Sequence, residues 1–108
     1  MKSLLIITLS FISGITQASE ISNTKITRTM MDATYGSKLF IQVEGSPVRE
    51  NCHINGTWDY VLSTDDDFGK QMLSQILTAH AANKSIKIKG NDNCPVGLTE
   101  EMIRLELY

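Results

Sequence analysis

The sequence predicts a mainly β domain with one helix, and three observations support this. Hydrophobic residues alternate with polar ones in five short segments, which is the period of a half-buried strand. Residues 66 to 82 instead carry hydrophobic residues at three- and four-residue spacing, which is typical of an amphipathic helix. A chain of 108 residues has room for one domain with one modest core.

Residues 1–18 predict a signal peptide that is removed after Ala18. Lys2 supplies a positive charge, an apolar run follows, and the small residues Thr16 and Ala18 lie where a signal peptidase reads the chain. The apolar run is too short for a comfortable membrane span, and no later segment is as apolar. We therefore expect an exported protein, periplasmic or secreted, with one soluble domain over residues 19–108.

Charge and cysteine usage exclude several functions. Without Lys2, nine Lys and Arg residues stand against twelve Asp and Glu residues, a formal charge of −3 with no basic cluster, which argues against nucleic-acid binding. In an oxidising compartment Cys52 and Cys94 are expected to form a disulfide, since two thiols are too few for structural zinc. No cofactor is expected.

Three strands are predicted before the helix. The segment "KITRTMM" (25–31) alternates weakly, and "SKLFIQVEG" (37–45) alternates clearly between two breakers, so the two segments are expected to pair as a hairpin. The third segment, "GTWDYVLS" (56–63), follows the turn signal Asn55-Gly56.

The helix is predicted to bury one face and to begin at three consecutive aspartates. These acids, Asp65 to Asp67, do not fit an EF-hand, because Gly69 falls at the fifth position and Ile76 occupies the place of the bidentate glutamate. We expect Thr64 or Asp65 to be the N-cap, with the other carboxylates favoured by the helix dipole. The predicted inward residues are Phe68, Met72, Leu73, Ile76, Leu77 and His80.

Two strands are predicted after the helix. In "NKSIKIKG" (83–90) the isoleucines point inward, and in "EMIRLELY" (101–108) we expect Ile103, Leu105 and Leu107 to do so. A five-stranded Greek-key barrel with its helix between strands 3 and 4, the OB-fold, has this order. An open α+β sheet covered by one helix has the same order and stays as the alternative.

Two sets of residues are candidates for binding. Trp58 and Tyr60 are expected to pack inward, but if the strand faces are reversed, Trp58, Asp59 and Tyr60 form a ligand platform suited to a sugar or a base. Separately, no charged residue occurs between Lys70 and Lys84, which is unusual for a solvent-facing helix. Chance in a chain of low charge is one explanation, and a protein interface is the other. The interface residues would be Gln71, Ser74, Gln75 and Thr78.

Catalysis is not expected from the residues. His53 and His80 are the only histidines, and neither belongs to a recognisable nucleophile motif. His80 falls on the apolar helix face, and His53 is next to Cys52. We predict that the protein is not an enzyme.

Cys52 and Cys94 enclose the segments "WDYVLS" (58–63) and "GKQMLSQILTAHAANKSIKIKG" (69–90), and "EMIRLELY" (101–108) follows them. With these segments, about residues 50 to 108 resemble a group of small exported bacterial proteins described as similar to the B subunit of subtilase cytotoxin. Asn83 replaces the usual glycine there, which a left-handed helix C-cap tolerates. The matching residues are Cys52, Gly69, Lys70, Met72, Leu73, Leu77, Ala79, Ala81, Lys84, Gly90, Cys94 and Glu101.

This resemblance implies an OB-fold, export, the Cys52–Cys94 disulfide and no catalytic activity. Toxin B subunits of this kind form pentameric rings that bind glycans, with their helices lining the central space, but no sugar-contacting residue can be carried over to this sequence. The expected function is a non-enzymatic exported module that recognises cell-surface glycans as a homo-oligomer. The alternative is a monomeric periplasmic accessory protein that binds another protein.

Overall fold

The computed structural model describes residues 19–49 and 52–108; the predicted signal peptide lies outside them. Within this part of the chain the fold is mainly β, with two three-stranded antiparallel sheets and one long helix. A short 3₁₀ turn at Ala33–Tyr35 joins the second and third strands. The elements are β1 (Glu20–Thr24), β2 (Ile26–Met31), β3 (Lys38–Val43), β4 (Tyr60–Ser63), α1 (Asp67–Ala81), β5 (Ile86–Gly90) and β6 (Met102–Leu107).

The two sheets have the strand orders β1-β5-β6 and β2-β3-β4. Only Lys25 separates β1 from β2, so one continuous run of chain enters both sheets. On the other side, Val61 of β4 forms a single parallel bridge with Glu101, the residue before β6, and the Val61 amide donates to the Glu100 carbonyl at 2.9 Å. The strands therefore do not form a closed barrel, and the predicted five-stranded barrel is not confirmed, whereas the mainly β class with one helix is.

Hydrophobic side chains cover both faces of the β2-β3-β4 sheet. Successive residues of a strand point to opposite faces, so Leu39 and Ile41 enter the main core while Phe40 enters a smaller cluster with Trp58 and Val61. Burial on both faces explains why β3 contains three consecutive buried hydrophobic residues. The main core contains Ile26, Leu39, Ile41, Val43, Tyr60, Leu62, Met72, Ile76, Ala79, Ile86, Ile88 and Met102.

The ends of α1 agree closely with the prediction, but its N-cap differs. The N-cap is Asp66, whose Oδ1 accepts a hydrogen bond from the Gly69 amide at 2.6 Å, so the prediction of Thr64 or Asp65 was wrong. At the other end, Asn83 has a φ of 52°, the left-handed conformation expected there.

The buried face of α1 is rotated from the predicted one. Phe68 and Leu77 were expected to point inward, yet their side chains are 55% and 49% exposed. His80 is also exposed, although its Nδ1 lies 3.0 Å from the Ile26 carbonyl oxygen. The rotation of the helix results from Gly69, which approaches β4 so closely that a Cβ there would lie 2.0 Å from the Ser63 carbonyl oxygen. The residues buried in the helix are Gly69, Met72, Ile76 and Ala79.

Two strand predictions need correction. The polar lead-in "EISNT" is a strand, β1, and its pairing with β5 raises the number of strands to six. In β6 it is Met102 that is fully buried, while Ile103, predicted to point inward, is exposed. The register between β5 and β6 shifts between Lys89 and Gly90, and this irregularity changes which residue faces the core.

The predicted disulfide between Cys52 and Cys94 is confirmed, with the two Cα atoms 5.8 Å apart. It joins the segment before β4 to the loop after β5, residues 42 positions apart in sequence. Cross-linking a loop of this length stabilises the fold by about 4 kcal/mol in the chain-entropy model. Among the residues described, no helix is long and apolar enough to cross a membrane.

Candidate binding surfaces

The outward face of α1 is exposed and carries no charge between Lys70 and Lys84. Thr78 donates its hydroxyl proton to the Ser74 carbonyl at 2.8 Å. The side-chain amides of Gln71 and Gln75, by contrast, have no hydrogen-bond partner within the described ranges. All four residues predicted for an interface, Gln71, Ser74, Gln75 and Thr78, are exposed on this face.

A groove of about 150 Å³ lies between the start of α1 and β6. Its walls combine exposed apolar side chains, Phe68 and Ile103, with the carboxylates of Asp66 and Glu101. One oxygen of Asp66 accepts a hydrogen bond from the Gly69 amide, and one oxygen of Glu101 accepts a hydrogen bond from the Asn91 side-chain amide at 2.9 Å. The second oxygen of each makes no hydrogen bond to the residues described here, so the groove offers two acceptors beside an aromatic ring. The lining residues are Leu62, Ser63, Asp66, Phe68, Glu101, Met102 and Ile103.

The three residues predicted as a ligand platform do not share a surface. Trp58 is 8% exposed and packs with Phe40 and Val61, whereas Tyr60 is fully buried in the main core. The expectation that Trp58 and Tyr60 pack inward is therefore confirmed, but the two side chains enter different clusters, because Trp58 precedes the regular strand β4. Asp59 forms an ion pair with the Arg49 guanidinium and accepts a hydrogen bond from the Val43 amide at 2.8 Å.

Two arginines lie over aromatic rings beside this region. The Arg28 guanidinium is 4.8 Å from the centre of the Trp58 ring, and that of Arg49 is 5.3 Å from the centre of the Tyr60 ring. Cation–π contacts of this kind stabilise by about 0.5–1 kcal/mol at exposed sites. The Trp58 ring therefore already has a cationic neighbour where a ligand would stack.

Sequence reasoning missed a buried polar cluster around Glu100. The Glu100 side chain is 1% exposed and accepts hydrogen bonds from the Ser19 amide at 3.2 Å, from the Ser19 hydroxyl, and from the Asp92 amide at 2.9 Å. The Tyr60 hydroxyl lies 2.9 Å from the Ser19 Oγ. Because the Ser19 proton is directed at Glu100, Tyr60 is the donor in this contact. The only sequence signal for the cluster was the position of Ser19 after the predicted cleavage site.

His53 connects this cluster to the loop before β4. The Glu100 amide donates to His53 Nδ1 at 2.9 Å, and His53 Nε2 lies 3.1 Å from the Asn55 carbonyl oxygen. Nδ1 must therefore be unprotonated and Nε2 must carry the proton. The imidazole ring of His53 is thus neutral. Burial, together with the nearby Arg49 cation, lowers the pKa of His53. Burial also raises the pKa of Tyr60 to about 12.

Metal binding has no support within residues 19–49 and 52–108, where no three His, Cys, Asp or Glu side chains are grouped so as to hold an ion. The buried cluster holds its groups by hydrogen bonds, and the two surfaces described above face solvent. Comparisons of the chain with protein-family models, with curated proteins and with solved structures found no match.

Proposed function

We propose that this protein is a non-enzymatic, exported binding module of the OB type that acts as a homo-oligomer through the outward face of α1. The observation that carries the proposal is the run of exposed, uncharged residues along this helix, where the Gln71 and Gln75 amides have no hydrogen-bond partner in the described part of the chain. Interface cores are depleted of charge in this way, whereas solvated helices are usually rich in Glu and Lys.

A second copy of the chain is the partner that best fits this face. A glutamine amide has both donors and an acceptor, and a hydroxyl also has both, so each group can pair with its own copy. Lys or Glu side chains in their place would repel their own copies instead. Leu77, 49% exposed beside this face, adds apolar area to the same contact.

The pairing of the strands supports the OB-type part of the proposal. The chain through β1 and β2 pairs with β5 on one side and β3 on the other. The bridge from β4 to Glu101, the residue before β6, is parallel, and the helix lies between β4 and β5. An OB barrel has a bent first strand shared by two sheets and a helix between its third and fourth strands.

Light scattering on the purified protein tests the oligomer. We expect a multimer that dissociates in the double variant Gln75→Lys/Thr78→Lys, because the introduced cations repel across the contact. The matched control is Ser46→Lys/Thr57→Lys, which adds the same charge at two exposed positions outside α1. A monomer at every concentration would refute self-association and would favour the monomeric accessory protein that binds a different protein.

The groove beside α1 favours a second candidate function, recognition of a cell-surface glycan. Phe68 offers an exposed ring for stacking on a sugar, and Asp66 and Glu101 offer carboxylate oxygens to its hydroxyls. The groove has room for a single ring, since sites for larger ligands start at roughly 300 Å³. On a glycan array, Phe68→Ala should abolish a signal that the exposed-site control Val48→Ala retains. An array with no signal for the unaltered protein would rule this function out.

A further inference from the structure

Glu100 is a buried acid that needs a positive partner. Its carboxyl group accepts from three donors, two on Ser19 and one on Asp92, and a group with only donors around it is best described as an ionised carboxylate. No Lys or Arg side chain of the described chain forms a salt bridge with it. A buried charge without an opposite charge is costly, so a nearby cation would stabilise the fold.

Ser19 is held in place at both ends of its backbone. Its amide nitrogen is 3.2 Å from Glu100 Oε2, and its carbonyl accepts from the Gly90 amide at 2.9 Å. Gly90 leaves the space that the acid occupies, because a Cβ at this position would be 2.1 Å from Glu100 Oε2. Ser19 itself is 3% exposed. The nitrogen of Ser19 is thus fixed against the carboxylate with little room to move.

We propose that peptidase cleavage between Ala18 and Ser19 makes the new α-ammonium group of Ser19 the counter-ion of Glu100. One water is consumed as the peptide bond breaks: Ala18 keeps the carboxylate, and the Ser19 nitrogen takes up protons to become –NH₃⁺. An α-amino group is mostly protonated at neutral pH. Processing therefore replaces a hydrogen bond from a neutral amide donor by a buried ion pair.

Two independent observations meet at the same bond. The small residues Thr16 and Ala18 place the signal-peptidase cut after Ala18. The fold places the nitrogen that this cut would free beside the buried acid. A cut one residue earlier or later would put the charge on a different atom, so the ion pair selects one start for the mature chain.

The first test is the mass of the product when the full chain is expressed with export. We expect the mature protein to begin at Ser19. A precursor with one alanine inserted before Ser19 supplies an extended product, identified by intact mass, whose ammonium lies one residue away from the acid. In urea, the unfolding equilibrium constant of the extended product should be at least about tenfold larger than that of the mature protein.

The variant Glu100→Gln should remove this difference between the two products, while Glu44→Gln, at an exposed acid, should preserve it. If Glu100→Gln does not fold, periodate decides the question, since it oxidises an N-terminal serine only where the amine and hydroxyl are both free. The unaltered folded protein should react slowly and the urea-unfolded protein quickly. A start other than Ser19, equal stability of the two products, or equally fast oxidation of the folded protein would overturn the proposal.

Discussion

Replacing Gly69 by alanine should destabilise the fold, although alanine is the better helix former. The new Cβ would lie 2.0 Å from the Ser63 carbonyl oxygen and 2.9 Å from Asp66 Oδ1, where ordinary contact begins at 3.4 Å. The start of α1 must therefore move away from β4 by about 1.4 Å, the difference between 3.4 and 2.0 Å. That movement disturbs the Asp66 cap and the groove that Asp66 and Phe68 help to line.

The expected cost follows from three contributions. Overpacking against a rigid backbone oxygen costs about 2 kcal/mol. Weakening of the N-cap costs about 1 kcal/mol more. The higher helix propensity of alanine returns about 1 kcal/mol. The free energy of unfolding of Gly69→Ala should therefore fall by about 2 kcal/mol.

Urea unfolding, followed by the fluorescence of the single tryptophan, measures this change as a lower midpoint at unchanged slope. Gly56→Ala is the matched control, because a Cβ at Gly56 meets no atom within 4 Å and its φ is not in the left-handed range. The control should stay within about 0.5 kcal/mol of the unaltered protein. Equal stability of the two variants would refute the reasoning about close approach.

Three further predictions concern titration and the cross-link. Burial and the Arg49 cation lower the pKa of His53 in the folded protein, so below the usual histidine pKa of 6.5 the unfolded chain binds a proton there and the folded protein does not. Stability should therefore fall as the pH falls below 6.5. His53→Gln should make the urea midpoint depend less on pH, and an unchanged pH dependence would contradict this reasoning. Burial raises the pKa of the Tyr60 phenol to about 12, so it should ionise in the folded protein only near that pH, and stability is lost as the pH rises from 10 through 12. Absorbance after rapid mixing to each pH should show an ionisation step near pH 12 that Tyr60→Phe removes. Ionisation of Tyr60 near pH 10 instead would refute the burial argument. The double variant Cys52→Ser/Cys94→Ser should lose about 4 kcal/mol in urea unfolding, and an unaltered midpoint would show that the cross-link does not stabilise the fold.

The helix and the interior strands were predictable because their signals are strong and local. The period of residues 66 to 82 and the left-handed Asn83 depend on neighbours within one or two turns. β3 was equally clear, since its hydrophobic residues lie between the breakers "YGS" and "EGSP". The disulfide followed from the number of cysteines and the expected compartment.

The missed features depend on contacts between residues distant in sequence. β1 is an edge strand with a bulge and buries mainly Thr24, so its sequence carries no alternating pattern. The exposure of Phe68 results from the approach of Gly69 to Ser63, which periodicity alone cannot reveal. The cluster around Glu100 joins residues 81 positions apart, and no local motif marks it.

The disulfide has a consequence for the fate of a damaged chain. β4, α1 and β5 all lie between Cys52 and Cys94, inside one covalent ring. A peptidase that cuts the backbone anywhere between the two cysteines opens this ring but does not separate the chain into two pieces. The nicked protein should therefore keep its apparent size on a gel without reductant and split only when reductant is added. Both halves remain tethered at their strands, close enough to pair again after the cut.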